Sequence, residues 1–194
     1  MADNKLVVCT ANAGKLEELR LLLPKHFSLH TLKDAGIVEE VPETGDTLEA
    51  NALQKARYVH ARVKCACMAD DTGLEVDALG GAPGVYSARY AGPQRNAADN
   101  MKKLLEQLRD KSDRNARFRT VIAYIAADGT EQLFEGEVRG AITTEPRGAG
   151  GFGYDPIFLP QMSDLTFAEL PLEKKNAISH RGQAVWKFAR FFSE

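Results

Sequence analysis

The run Lys5-Leu6-Val7-Val8-Cys9-Thr10 constrains the fold more than any other stretch. It is short, apolar and β-branched, and it breaks at once into the polar loop Ala11-Asn12-Ala13-Gly14 and a helical pattern over 15–23 that Pro24 stops. A buried strand followed by a loop and a helix is the opening unit of a layered α/β protein. Residues 27–32 predict a second strand, and 33–45 an irregular loop carrying Glu39, Glu40 and Glu43. A long helix follows, with Asp46 and Glu49 at capping-box spacing and a buried stripe of Leu48, Ala52, Ala56, Val59 and Val63. Asn51 and Lys55 share a different face of it.

Residues 65–69 predict a core strand that ends at Asp70-Asp71-Thr72-Gly73, after which 74–76 leads into the turn-rich Gly80-Gly81-Ala82-Pro83-Gly84. A helix is expected over 96–109, and a hairpin from 118–127 and 131–142 joined through Asp128-Gly129. The glycine-rich segment 148–156 precedes a short strand, and a last helix carries the stripe Val185, Phe188, Ala189 and Phe192. The whole reads as an α/β fold with a mixed central β-sheet flanked by helices, in a single domain over 1–194.

Composition narrows the partners. A chain of 194 residues buries roughly 70% of its unfolded surface, so it needs neither disulfides nor a structural metal to complete a core. With 25 Lys+Arg against 27 Asp+Glu, no basic excess points to nucleic acid or an anionic membrane. Apolar runs such as 121–127 fall short of the roughly 20 residues of a membrane span, and the opening residues lack a signal peptide's apolar core, so a cytoplasmic protein is expected. The three cysteines are read as buried thiols, and His26, His30 and His60 form no zinc pattern.

Four segments carry candidate chemistry. Thr10-Ala11-Asn12-Ala13-Gly14-Lys15 lies between strand and helix, where backbone N–H groups and the helix dipole favour an anion, although it has neither a P-loop nor a dinucleotide-binding spacing. The plain alternative is that Asn12 caps the helix and Lys15 is solvated. In Asp70-Asp71-Thr72-Gly73, two adjacent carboxylates are costly to bury without a cation; magnesium would fit, with Glu43 as a second ligand, and a carboxylate there can take a proton from water. The alternative is a tight turn. In the segment 174–181, Lys175 and His180-Arg181 can join Lys15 and Lys55 in a cationic clamp around polyphosphate, against a merely structural histidine. Phe152, among glycines, offers either a stacking surface for a base or a core ring. Cations for phosphates, acids for a metal and a ring for a heterocycle together describe a nucleoside triphosphate.

These segments, with Ser179-His180-Arg181-Gly182 and Gly151-Phe152-Gly153-Tyr154-Asp155-Pro156, occur in the order seen in the inosine triphosphate pyrophosphatase family, which the chain resembles from about Lys5 to the last helix. The resemblance implies two lobes with a cleft between them, and hydrolysis of dITP, ITP and XTP to the monophosphate and pyrophosphate with Mg2+, by a homodimer. By position it places Thr10, Ala11, Asn12, Ala13, Gly14, Lys15 and Thr72 at the phosphates and Glu43 and Asp71 at the metal, with Asp71 also the proton acceptor. Phe152, Gly153, Tyr154 and Asp155 would frame the purine, Lys55 and Lys175 would meet phosphate or base, and His180 and Arg181 would reach the base edge. Thr72 stands where many relatives have Ser, and Asn176 where Ser is more usual. Two rival readings are a Maf-type nucleotide pyrophosphatase and a purine-nucleotide-binding module without turnover.

Overall fold

A computed structural model describes residues 4–192. The elements run β1 (Lys5–Cys9), α1 (Ala13–Leu22), β2 (Ser28–Thr31), α2 (Leu48–Val63), β3 (Cys67–Val76), β4 (Pro83–Gly84), α3 (Ala97–Gln107), β5 (Asn115–Ile125), β6 (Glu131–Ile142), β7 (Phe158–Pro160), α4 (Leu172–Ile178) and α5 (His180–Phe191). Among the described residues the strands form a mixed sheet in the order β2-β1-β3-β5-β6-β7, with β4 on β3. β1 is parallel to β2 and β3, whereas β4 is antiparallel to β3 and β7 to β6.

The chain divides into two compact units. One comprises the chain as far as Asp71, with Thr120–Gly136 and the chain from Gly182 on; the other comprises Thr72–Arg119 and Glu137–Arg181. In the first, Leu6 and Val8 of β1 pack with Leu19 of α1, Met68 of β3 and Val185 and Phe188 of α5. Val7 and Cys9 point to the opposite face, as strand alternation requires, and Cys67, the register partner of Val7, donates its thiol to the Ala56 carbonyl of α2. β1 is thus covered on both sides, which is why it reads as a continuous apolar run. The second unit has its own core, in which Leu104 and Leu108 meet Phe118, Val138, Phe158 and Phe167.

Three expectations change. The long helix is capped by Thr47, whose side chain accepts from the Ala50 N–H, and not by Asp46. α1 starts at Ala13 rather than at 15, directly behind Asn12, which caps it as the plain alternative had it. Most consequentially, Asp70-Asp71-Thr72-Gly73 is neither a strand end nor a turn. β3 runs unbroken through it, since neighbouring helices supply the counter-charges that two acids inside a strand require. The hairpin turn falls at Asp128-Gly129 as expected, closed by Ala126 N–H donating to the Thr130 carbonyl.

Candidate active site

Alternation along β3 sends Asp70 and Asp71 to opposite faces of the sheet, and each meets a lysine from the helix on its side. Lys15, in the first turn of α1, places Nζ 2.9 Å from Asp70 Oδ2. Its position is set by Asn12, whose Oδ1 accepts from the Lys15 N–H at 3.0 Å, while Thr10 Oγ1 accepts from the Asn12 N–H at 3.1 Å. Asn12 is therefore the cap of the plain reading, but Lys15 is not solvated; its side chain is 17% exposed and ion-paired. Ala13 and Gly14 lie in the first turn, where N–H groups lack intrahelical acceptors.

On the other face Lys55 of α2 donates to Glu43 Oε1 at 2.6 Å and to Asp71 Oδ1 at 2.9 Å. Asn51, one turn earlier, donates to Asp71 Oδ2 at 3.3 Å. Burial pushes the Asp71 carboxyl above the ordinary aspartate value, with Lys55 and then Lys15 pulling it down only in part. Burial works against the Lys55 ammonium, but Asp71 and Glu43 outweigh it and hold its pKa above the ordinary lysine value. The Cys9 thiol beside this cluster is pushed up to about 11, chiefly by burial, and stays protonated at neutral pH.

Glu43, Asp70 and Asp71 against Lys15 and Lys55 leave the centre with a net negative charge. That donor set fits a hard divalent cation: magnesium takes one or two carboxylates and completes its shell from substrate oxygens and water. Among the described residues no three His, Cys, Asp or Glu side chains group as a metal site, so a metal here would rest on the two carboxylates Glu43 and Asp71.

In the second unit, Asp155 Oδ2 accepts from the Lys175 ammonium at 2.6 Å and from the Phe152 N–H at 2.8 Å. The tight return of the chain depends on Gly151, with φ of 68° and an added Cβ colliding with the Asp155 carboxylate. Phe152 is half-buried, with Lys175 Nζ 4.7 Å and Arg181 Cζ 5.7 Å from its ring centroid. Arg181 is buried and donates to Thr72 Oγ1 at 3.2 Å. Two further expected site residues are buried and have partners within the protein. His180 is buried and stacks on Phe118 at 4.6 Å between centroids, and Tyr154 donates its hydroxyl to the Ser87 carbonyl at 2.8 Å. Gly153 takes φ of 62°, the left-handed region.

The structure thus gathers Lys15 with Asp70, Glu43 and Asp71 around Lys55, and Phe152, Asp155, Lys175, Arg181 and Thr72 with one another. Sequence reasoning treated Asp70 only as one of an acidic pair, giving the metal and proton-acceptor roles to Asp71, and it left Asn51 outside the site. The spacing of Asn51 from Lys55 placed both on one helical face, and that was the available signal for Asn51; nothing local told which acid each lysine would meet.

Fold and charge arrangement define an α/β protein built around a buried lysine–carboxylate centre. The Ham1 family matches residues 6–191, and the chain belongs to that family. A dITP/XTP pyrophosphatase of Flavobacterium johnsoniae is 52% identical over 181 residues, 93% of this chain and 94% of that protein. A HAM1 protein from Coxiella burnetii superimposes with a TM-score of 0.89 at 39% identity, covering 97% of this chain and 98% of its own. A nucleoside-triphosphatase, dITP/XTP pyrophosphatase, from Mycobacterium abscessus gives 0.77 at 45% identity, covering 95% and 98%.

Proposed function

We propose that the protein is a cytoplasmic, magnesium-dependent pyrophosphatase, working as a homodimer, that hydrolyses the non-standard purine nucleoside triphosphates dITP, ITP and XTP to monophosphate and pyrophosphate. The observation that carries this reading is the buried Lys55 holding Glu43 and Asp71 beside the Lys15–Asp70 pair. The dITP/XTP pyrophosphatases at about half identity over nearly the full chain support the substrate class.

Lys15, Lys55 and the first turn of α1, with Thr10 and Asn12, are assigned to the triphosphate, and Phe152 with Lys175 and Arg181 to the purine end. Magnesium, held by Glu43 and Asp71, would neutralise charge on the phosphate oxygens. Asp71 takes a proton from the attacking water as its oxygen bonds to phosphorus at the linkage between the α and β phosphates. The bridging bond breaks and pyrophosphate leaves. Lys15 and Lys55 offset the charge that develops on it. Hypoxanthine and xanthine carry an exocyclic oxygen acceptor at position 6 where adenine carries an amino donor, so a fixed donor such as Arg181 would be left unpaired by adenine.

A pyrophosphate-release assay across ITP, XTP, dITP, GTP and ATP, with and without magnesium, tests this. Magnesium-dependent release from the first three above the last two is expected. Preference for modified pyrimidine nucleotides would favour the Maf-type reading, and tight ITP binding without release a non-catalytic module; either would overturn the proposal.

A further inference from the structure

The geometry points to Asn51 as a positioning residue whose amide ties the loop carrying Glu43 to the Asp71 carboxylate. Its Oδ1 accepts from the Gly45 N–H at 2.8 Å while its Nδ2 donates to Asp71 Oδ2 at 3.3 Å. Further along the same helical face, Gln54 Oε1 accepts from the Thr44 N–H and Gln54 Nε2 donates to Thr44 Oγ1, both at 2.9 Å. With Lys55 on Glu43, three consecutive loop residues, Glu43, Thr44 and Gly45, are each gripped by a side chain of α2.

Asn51 alone of these α2 side chains bonds both the loop backbone and Asp71, and it is 1% exposed, so removing it leaves the buried Asp71 carboxylate and the part-buried Gly45 N–H without this partner. The side-chain amide offers a donor and an acceptor on separate atoms: aspartate would set a second charge against Asp71, and alanine would offer neither partner. Gly45 fits the same device from the loop side. A Cβ there would stand 2.7 Å from Ala50 Cβ and 3.0 Å from Asn51 Oδ1, so any side chain pushes the loop off the helix.

The inference deepens the proposed function and rests on it for the meaning of turnover. Wild type, Asn51→Ala, Asn51→Asp and Gly45→Ala are compared by ITP hydrolysis and by titration with Mn2+ alone, read by electron paramagnetic resonance, at a temperature where melting curves show each variant folded. Asn51→Ala and Asn51→Asp should lose about tenfold in kcat with KM for ITP within about threefold, and Asn51→Ala and Gly45→Ala should bind Mn2+ about tenfold more weakly. A kcat or Mn2+ loss below about threefold in Asn51→Ala overturns the inference, as does wild type that binds no Mn2+. If Asn51→Ala fails to fold, Gly45→Ala decides by the same Mn2+ criterion. Wild type inactive on every nucleotide would end the functional reading instead, leaving the Mn2+ comparison to judge Asn51.

Discussion

Asp71 is buried, carries Lys55 and Asn51 on its two oxygens, and has its pKa raised by burial. A raised carboxyl is protonated at higher pH than a free one, and a protonated carboxyl cannot accept a proton from water. Activity should therefore fall on acidification through a midpoint above the ordinary aspartate value of 3.8, measured as kcat/KM against pH. Asp71→Asn should keep its circular dichroism spectrum and lose about a hundred- to ten-thousandfold in kcat at every pH. Lys55→Met should behave differently. It strands two carboxylates that share one buried ammonium, and chemical denaturation should register a loss of about 3 kcal/mol or more.

At the scale of elements, Asn12 has two duties that substitution can separate. It caps α1 through its side-chain oxygen and stands in the loop assigned to phosphate. Asn12→Asp keeps a capping oxygen, so stability should hold within a few tenths of a kcal/mol, yet KM for ITP should rise because a negative charge then faces the triphosphate. Asn12→Ala should cost about 1 kcal/mol. Thr47→Ala removes the α2 cap and should cost about the same, read by urea unfolding. The helices other than α4 were legible because apolar spacing and caps are local signals; α3, expected over 96–109, runs Ala97–Gln107 behind its cap Asn96. β3 was not legible. Asp-Asp-Thr-Gly has turn composition, and only the lysines of α1 and α2, distant in sequence, make its acids compatible with a strand.

On the scale of the molecule, each compact unit has its own aromatic and aliphatic core; Lys15, Lys55, Asp71, Lys175 and Arg181 stand on helices and strands, whereas Glu43 and Phe152 are carried by loops. A ligand that binds the folded chain alone stabilises it by mass action, so a non-hydrolysable ITP analogue with magnesium at about a hundred times its Kd should add about 2.7 kcal/mol, seen as a raised Tm. Among the described residues no helix is long and apolar enough to cross a membrane. The sequence by itself determined the α/β alternation, the helix faces and the residue types at the site, because periodicity and capping act within a few residues. Which lysine meets which acid, the contacts of His180 with Phe118 and of Tyr154 with Ser87, and the bridge of Asn51 from loop to carboxylate were decided only by the tertiary structure. Pairing energies of that kind depend on distances between groups tens of residues apart, which no local pattern encodes.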